Sequence, residues 1–136
     1  MAHLMTVVHQ DVYMTITYHE DLDIIETASR IKDEADLRRN LLKVLEVIEQ
    51  CNPGKMLVDM REFKFEHDPD SERWIDENIH AKQVELGIVK KAFVMSADSN
   101  VQIGVEEVMD NEYARQIETA YFLTREQAMD WLKEAD

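Results

Sequence analysis

Three side chains with metal-ligating chemistry are spaced four residues apart within one predicted helix: Glu72, Asp76 and His80. Residues four apart lie on the same side of an α-helix, so this face can offer two carboxylates and an imidazole to a divalent cation. The alternative is a solvated acidic face with a contact between Asp76 and His80. Because the HExxH pattern of zinc peptidases is missing, the solvated face is favoured. We expect no metal and no other cofactor.

The other nucleophiles and bases do not form a catalytic set. Cys51, the only cysteine, ends a predicted helix, where the helix dipole disfavours a thiolate, so an inert and half-buried thiol is expected. His3, His9 and His19 are expected at the surface. No Gly-x-Ser-x-Gly elbow surrounds a serine, and no glycine-rich phosphate loop is present. The sequence predicts no catalytic residue, which places an enzyme last among the function classes considered.

The first third of the chain predicts three strands. Apolar and polar residues alternate from Val12 to Tyr18, and shorter β-rich runs cover Leu4–Val8 and Leu22–Ala28. The polar turn His19-Glu20-Asp21 joins the second and third strands into a hairpin. Leu4–Val8 is expected at an edge of the sheet, where unpaired backbone groups invite pairing or need protection.

From residue 33 onward, helices and buried strands alternate. Apolar residues that recur with roughly the 3.6-residue period predict a helix from Asp33 to Cys51, which Asn52-Pro53-Gly54 ends. Three short apolar runs predict buried strands: Lys55–Met60, Lys91–Ser96 and Thr119–Leu123. Capping residues predict three more helices, which begin near Asp68-Pro69, Ser99 and Thr124.

The resulting order, β-β-β-α-β-α-β-α-β-α, predicts an α/β fold with a small mixed sheet flanked by about four helices. Helices between strands favour parallel crossovers, and the N-terminal hairpin adds antiparallel pairing. We expect a single domain over residues 1–136 with a core of about 12–132. Residues 1–4 are compatible with a cloning remnant or a disordered start.

A ligand or partner crevice is expected where the parallel strands end, because ligands collect outside the carboxyl ends of strands in open α/β sheets. The predicted strand ends, the loop beyond the central strand and the second helix contribute the candidate crevice residues: Asp59, Arg61, Phe63, Trp74, Ser96 and Asp98. Asp59 is expected to form a structural ion pair with Arg61 or Lys90 rather than to act as a catalytic acid.

Three segments together resemble the SpoIIAA-like branch of STAS domains. They are Lys55-Met-Leu-Val-Asp-Met-Arg-Glu-Phe63, Lys91-Ala-Phe-Val-Met95 and Ala120-Tyr-Phe-Leu-Thr-Arg-Glu-Gln-Ala-Met-Asp-Trp-Leu132. The resemblance spans roughly Val12 to Leu132 in element order. It implies a non-enzymatic interaction module with a small mixed sheet flanked by helices, in which a cleft sometimes binds a small molecule or a lipid.

The resemblance also implies a phosphorylation candidate. In the anti-sigma-antagonist branch, a phosphorylated serine lies at the start of the helix after the central strand. Ser71 is the only hydroxyl in the corresponding segment, and the sequence departs from the family pattern because no Ser-Gly follows it.

Charge and composition exclude several classes of partner. The chain has 29 acidic and 15 basic residues, a formal charge of −14, whereas nucleic-acid binders need Lys and Arg to neutralise phosphates. No polybasic segment is present to attract an anionic membrane surface, and no window has the ~18 apolar residues of a membrane span. With one cysteine and no signal-peptide pattern at the start, a cytoplasmic location is expected.

The sequence therefore favours a regulatory or interaction module that binds a protein partner and self-associates. The acidic run Glu106–Glu112 on the third predicted helix is a solvated face or a surface for a basic partner. The alternative function is a domain that binds a small apolar or lipid-like ligand in a crevice. That alternative predicts a continuous apolar pocket beneath the second helix.

Overall fold

The computed structural model describes residues 4–63, 69–95 and 105–134. The strands are β1 (Met5–Gln10), β2 (Met14–His19), β3 (Ile24–Ser29), β4 (Lys55–Asp59), β5 (Lys90–Val94) and β6 (Glu118–Phe122). The helices are α1 (Glu34–Cys51), α2 (Pro69–Ile75), α3 (Ala81–Glu85), α4 (105–109) and α5 (Arg125–Lys133). Five π-helical residues, Asp76–His80, join α2 to α3, so that these three pieces form one continuous helical segment. The predicted α/β class and element order are confirmed.

The six strands form one mixed sheet in which sequence order equals spatial order, β1-β2-β3-β4-β5-β6. The pairs β1–β2 and β2–β3 are antiparallel, and the pairs β3–β4, β4–β5 and β5–β6 are parallel. The predicted N-terminal antiparallel unit and parallel C-terminal part are both present. β1 lies at one edge of the sheet, as predicted.

Helices cover both faces of the sheet, but unequally. One apolar cluster joins α1, the α2–α3 segment and α4 to the sheet through Leu37, Ile75, Ile79, Val108 and Phe93. A separate cluster packs α5 against the opposite face. The described helices of the three parallel crossovers therefore share one face, and α5 packs on the other.

Local signals set the helix ends at the predicted positions. Asp33 caps α1 by accepting a hydrogen bond from the backbone N–H of Asp36, and Thr124 caps α5 by accepting one from Gln127. Asn52 ends α1 in the left-handed region with φ of 55°. Gly87, with φ of 100°, follows α3 in a conformation that L side chains rarely adopt. The predicted caps Asp68 and Ser99 lie outside the described residues.

Two lysines of the sheet bind the C-terminal end of α5. Lys55 donates to the carbonyl of Leu132 at 2.9 Å, and Lys90 donates to the carbonyl of Trp131 at 3.3 Å. Cations at a helix C-terminus satisfy free carbonyls and oppose the helix dipole. Lys90 is therefore bound to α5, and the alternative pairing of Asp59 with Lys90 is not the one that forms.

Within residues 4–63, 69–95 and 105–134, no helix is both long enough and apolar enough to cross a lipid bilayer.

Candidate functional site

An apolar cavity lies between the sheet and the three crossover helices. Its volume is about 90 Å³. Its walls come from β3, β4 and β5 below and from α1, the α2–α3 segment and α4 above. An engineered apolar cavity of about 150 Å³ is large enough for benzene, so this cavity suits a molecule of about four or five non-hydrogen atoms.

The register of the parallel strands explains which side chains form the cavity floor. Thr27, Val58 and Phe93 form one row across β3, β4 and β5, and Met56 and Lys91 form the next row toward the strand starts. Alternate residues of a strand point to the same face, so both rows face the crossover helices. The floor is apolar except at Thr27, Ser29 and Lys91.

The second helical segment supplies the polar wall opposite Lys91. His80, the last π-helical residue, and Gln83 of α3 are buried and line the cavity beside Ile75. A π-helical stretch inserts an extra residue into the helical turn and shifts the side chains that face the core, and such stretches are frequent at functional sites.

Lys91 is the one amine among the described residues that line the cavity, and it is only 3% exposed. Its Nζ donates to Oε1 of Gln83 at 2.6 Å and lies 5.8 Å from the ring centroid of Phe93. Within the described part of the chain, no carboxylate forms an ion pair with it. Burial lowers the pKa of Lys91 to about 7, because the ammonium form loses its hydration without gaining a counter-ion.

His80 contributes a neutral imidazole to the same end of the cavity. Burial, reinforced by the positive charge of Lys91, holds the pKa of His80 well below its usual range. Nδ1 of His80 lies 3.4 Å from Oδ1 of Asp76 but forms no hydrogen bond. The cavity end therefore contains a base, an amide and an amine, and each is buried.

The candidate metal ligands Glu72, Asp76 and His80 do not form a ligand set, although Asp76 and His80 are neighbours. The favoured solvated face is wrong for Asp76 and His80, because both side chains are buried. The carboxylate of Asp76 accepts hydrogen bonds from the backbone N–H groups of Tyr113 and Ala114 at 3.1 and 3.0 Å. Both oxygens of Asp76 are thus hydrogen-bonded to the turn before β6. Glu72, unlike Asp76 and His80, is only half-buried. Among the described residues, no group of three His, Cys, Asp or Glu side chains is placed to hold a metal ion.

The predicted crevice residues separate into two places. Phe63 is buried and lines the cavity, and Trp74 packs partly buried against the same core with the guanidinium of Arg38 4.4 Å from its ring centroid. Asp59 and Arg61 line a neighbouring depression with Ala28 and Ser29, and Ser29 also lines the cavity. Ser96 and Asp98 lie outside the described residues.

Asp59 and Arg61 form the ion pair that the sequence predicts. Nε and Nη2 of Arg61 donate to the two carboxylate oxygens of Asp59 at 2.9 and 2.6 Å. Burial alone would raise the pKa of Asp59, but the hydrogen bonds from Arg61 outweigh it and hold that pKa below its usual range. A carboxylate held in this way remains charged at neutral pH.

Ser71 is buried, with 1% of its surface exposed. Its hydroxyl donates to Oε1 of Glu34 at 2.5 Å. A phosphate at this position would stand against a carboxylate inside the packed helices, an arrangement that like-charge repulsion and desolvation both disfavour.

The expectation that His19 lies at the surface is wrong. Its side chain is buried, and Nε2 lies 2.7 Å from Oε1 of Glu26. Arg125 binds the same carboxylate with two nitrogens at 2.6 and 2.7 Å. Burial would raise the pKa of Glu26, yet the hydrogen bonds from Arg125 and His19 lower it. This interaction attaches the start of α5 to β2 and β3.

His9 is half-buried against Asp11, and His3 lies outside the described residues.

Cys51 is half-buried, and burial raises the pKa of its thiol, which agrees with the expected inert thiol.

On α4 and in the turn that follows it, Glu106, Glu107 and Asp110 are exposed. They border a shallow depression with Tyr121. Burial, reinforced by the charges of Glu106 and Asp110, raises the pKa of Tyr121 to about 12.

Lys91 and Gln83 are the candidate site residues that the sequence did not predict. Lys91 opens a predicted buried strand, where a lysine is normally assigned to the solvated strand end. Two residues later on the same strand face stands Phe93, and this period of two was the available signal that Lys91 faces the core. Gln83 carried no signal, because its orientation depends on the π-helical turn.

No family model, curated protein or solved structure matches the chain. Function is therefore inferred from the geometry of the cavity.

Proposed function

We propose that this domain binds a small, mostly apolar molecule with one oxygen acceptor in the cavity beneath the second helical segment. The supporting observation is the pairing of an apolar cavity with a single buried amine at its end. Apolar walls that surround a few placed polar groups are the usual composition of a ligand site.

The amine explains which ligands are favoured. Lys91 uses one N–H on Gln83, and a carbonyl, hydroxyl or carboxylate oxygen in the cavity would accept another. A hydrogen bond from a buried charged donor is stronger than a neutral one. The remaining three or four carbons of the ligand would contact Met56, Val58 and Phe93. Long lipid chains exceed the space.

Methyl NMR of the methionines tests this proposal, because methionines lie both inside and outside the cavity. Met56, Met60 and Met109 line it, whereas Met129 packs in the α5 cluster on the opposite face of the sheet. We expect titration with butanol or butanone to shift the first three methyl signals and to leave that of Met129 in place. Uniform shifts, or none, would reject a ligand site here.

Self-association through β1 is the second candidate function. β1 is an edge strand whose apolar side chains face solvent: Met5 is 61% exposed and Val7 is 52% exposed. An exposed apolar edge strand is a template for pairing with another chain. A register shift between Val7 and His9 leaves Met5–Val7 as the regular part of the edge. A second copy is the partner that carries a matching edge.

Sedimentation velocity separates this candidate from ligand binding. We expect the wild type to form a dimer and the Val7→Lys variant to be monomeric, because a lysine on each paired edge brings like charges together. Val12→Lys is the matched control, since Val12 is 76% exposed but lies outside β1. A monomeric wild type at the highest attainable concentration would exclude the interface.

A further inference from the structure

We propose that Lys91 is a covalent site, at which its amine condenses reversibly with short-chain aldehydes or ketones that enter the cavity. This inference rests on the proposed function, since the carbonyl compound must occupy the same cavity. It goes further, because it assigns a chemical step to a residue of this chain.

The position of the amine meets the first requirement for this chemistry. Nζ is held at the end of an apolar cavity by a hydrogen bond of 2.6 Å to a neutral amide. No acid among residues 4–63, 69–95 and 105–134 pairs with it and fixes it as an ammonium ion. Lysines that form imines are typically desolvated in apolar pockets, where the neutral amine becomes accessible. Burial here lowers the pKa of Lys91 to about 7, so a large fraction of the amine has a free electron pair at neutral pH.

The second requirement is a route for protons during the condensation. The nitrogen lone pair attacks the carbonyl carbon, a C–N bond forms, and the C=O π electrons move to oxygen, which takes up a proton. The resulting carbinolamine loses that oxygen as water, the C=N bond forms, and both N–H protons of the amine end on the water. Neutral His80 lines the same cavity and can carry a proton between nitrogen and oxygen.

The third requirement is that the carbonyl compound is small enough to fit in the cavity. With about 90 Å³ open to the centre of a water molecule, an aldehyde of up to about four carbons fits, whereas a bulky cage or fused-ring aldehyde does not. The site should therefore select by size, and a surface lysine should not.

Reductive trapping tests the proposal on the full chain. The protein is incubated near pH 7 with butanal and cyanoborohydride, which reduces the imine to a stable butyl-lysine, and peptide mass spectrometry then gives the rate at each lysine. Lys82 is the matched control, with its side chain 49% exposed on α3. We expect Lys91 to be labelled at least about tenfold faster than Lys82, because an exposed lysine is almost entirely protonated at this pH.

A second aldehyde distinguishes a cavity reaction from a reaction after local opening. Adamantane-carbaldehyde should label Lys82 but not Lys91. Lys91→Met removes the site outright, and the Val58→Ile variant, which keeps the lysine, should slow labelling of Lys91 without changing Lys82. The second variant keeps the test decisive if Lys91→Met does not fold.

Each outcome supports or overturns the inference. Selective and size-limited labelling of Lys91 supports it. Labelling of Lys91 no faster than Lys82, or equal labelling by both aldehydes, overturns it. If butanol shifts the methyl signals of Met56, Met60 and Met109 while Lys91 is not labelled, the covalent step fails and the binding function remains. If neither occurs, both fail.

Discussion

At the scale of single residues, Lys91 should make stability depend on pH in an unusual direction. Its folded pKa of about 7 lies below the unfolded value of about 10.4, so between these values the unfolded chain binds more protons than the folded one. Lys91 therefore lowers the free energy of unfolding by its full amount below about pH 7, and this destabilisation disappears as the pH rises toward 10. We expect the free energy of unfolding to rise by about 2 kcal/mol from pH 7 to pH 9 relative to Lys91→Met.

Urea unfolding of both proteins at matched pH values measures this difference. The comparison cancels other groups that titrate in this range, such as the Cys51 thiol, whose raised pKa acts in the opposite direction. His80, the titratable group that faces Lys91 from the second helical segment, stays neutral throughout. A difference that does not change with pH would mean that Lys91 keeps an ordinary pKa and is solvated.

Some side-chain contacts could be predicted from the sequence, and others, including that of Lys91, could not. The Asp59–Arg61 pair could be predicted, because both residues are close in sequence at a strand end. The His19–Glu26–Arg125 interaction could not, because Glu26 and Arg125 are 99 positions apart and meet only when α5 packs on the sheet. Lys91 was hidden for a similar reason: its neighbour Gln83 belongs to another element.

At the scale of elements, Asp76 connects the π-helical turn to the 3₁₀ turn Ala114–Gln116, which precedes β6. Its two oxygens accept from two consecutive backbone N–H groups, one each. Asp76→Asn replaces one acceptor by a donor that faces an N–H group. We expect a loss of about 1–3 kcal/mol in the free energy of unfolding, the usual cost of an unsatisfied buried group.

Two measurements locate the effect of Asp76→Asn. Urea unfolding gives its size, with the exposed neighbour Glu77→Gln as a control that should change little. Hydrogen exchange gives its place, since the amides of Tyr113 and Ala114 should exchange faster in the variant. Unchanged stability together with retained amide protection would show that these hydrogen bonds contribute nothing.

Most elements were predictable because their signals are local. Apolar stripes defined α1 and α5, and the caps at Asp33 and Thr124 set where they begin. The π-helical stretch was not predictable, because it stands inside an uninterrupted helical pattern and is stabilised by Asp76 through contacts with a distant turn. It also moved His80 from the predicted acidic face to the cavity wall.

At the scale of the whole molecule, the cavity results from the arrangement of the crossovers. The helices between β3 and β6 all pack on one face, and their side chains do not fill the space above Val58 and Phe93. No local pattern in the sequence encodes such a space, although the resemblance to a cleft-containing family allowed a pocket beneath the second helix to be anticipated. Its lining required the packing of elements that are far apart in sequence.

The cavity costs stability, and filling it should reveal that cost. Val58 lies on the central strand β4 with Thr27 and Phe93 beside it, and isoleucine keeps the β-branched shape that suits a strand. Val58→Ile adds one methylene to the cavity, and a buried methylene contributes about 0.8 kcal/mol to the free energy of unfolding. We expect a gain of about this size, together with weaker shifts of the Met56, Met60 and Met109 methyl signals on addition of butanol.

Val89→Ile is the control, since Val89 is 55% exposed and its extra methylene stays in water. A loss of stability in Val58→Ile would mean that the space is too small for one methylene, and therefore too small for any ligand. A gain in stability with weaker ligand binding would show that the domain maintains this space at the expense of its own stability, as expected when a cavity serves binding.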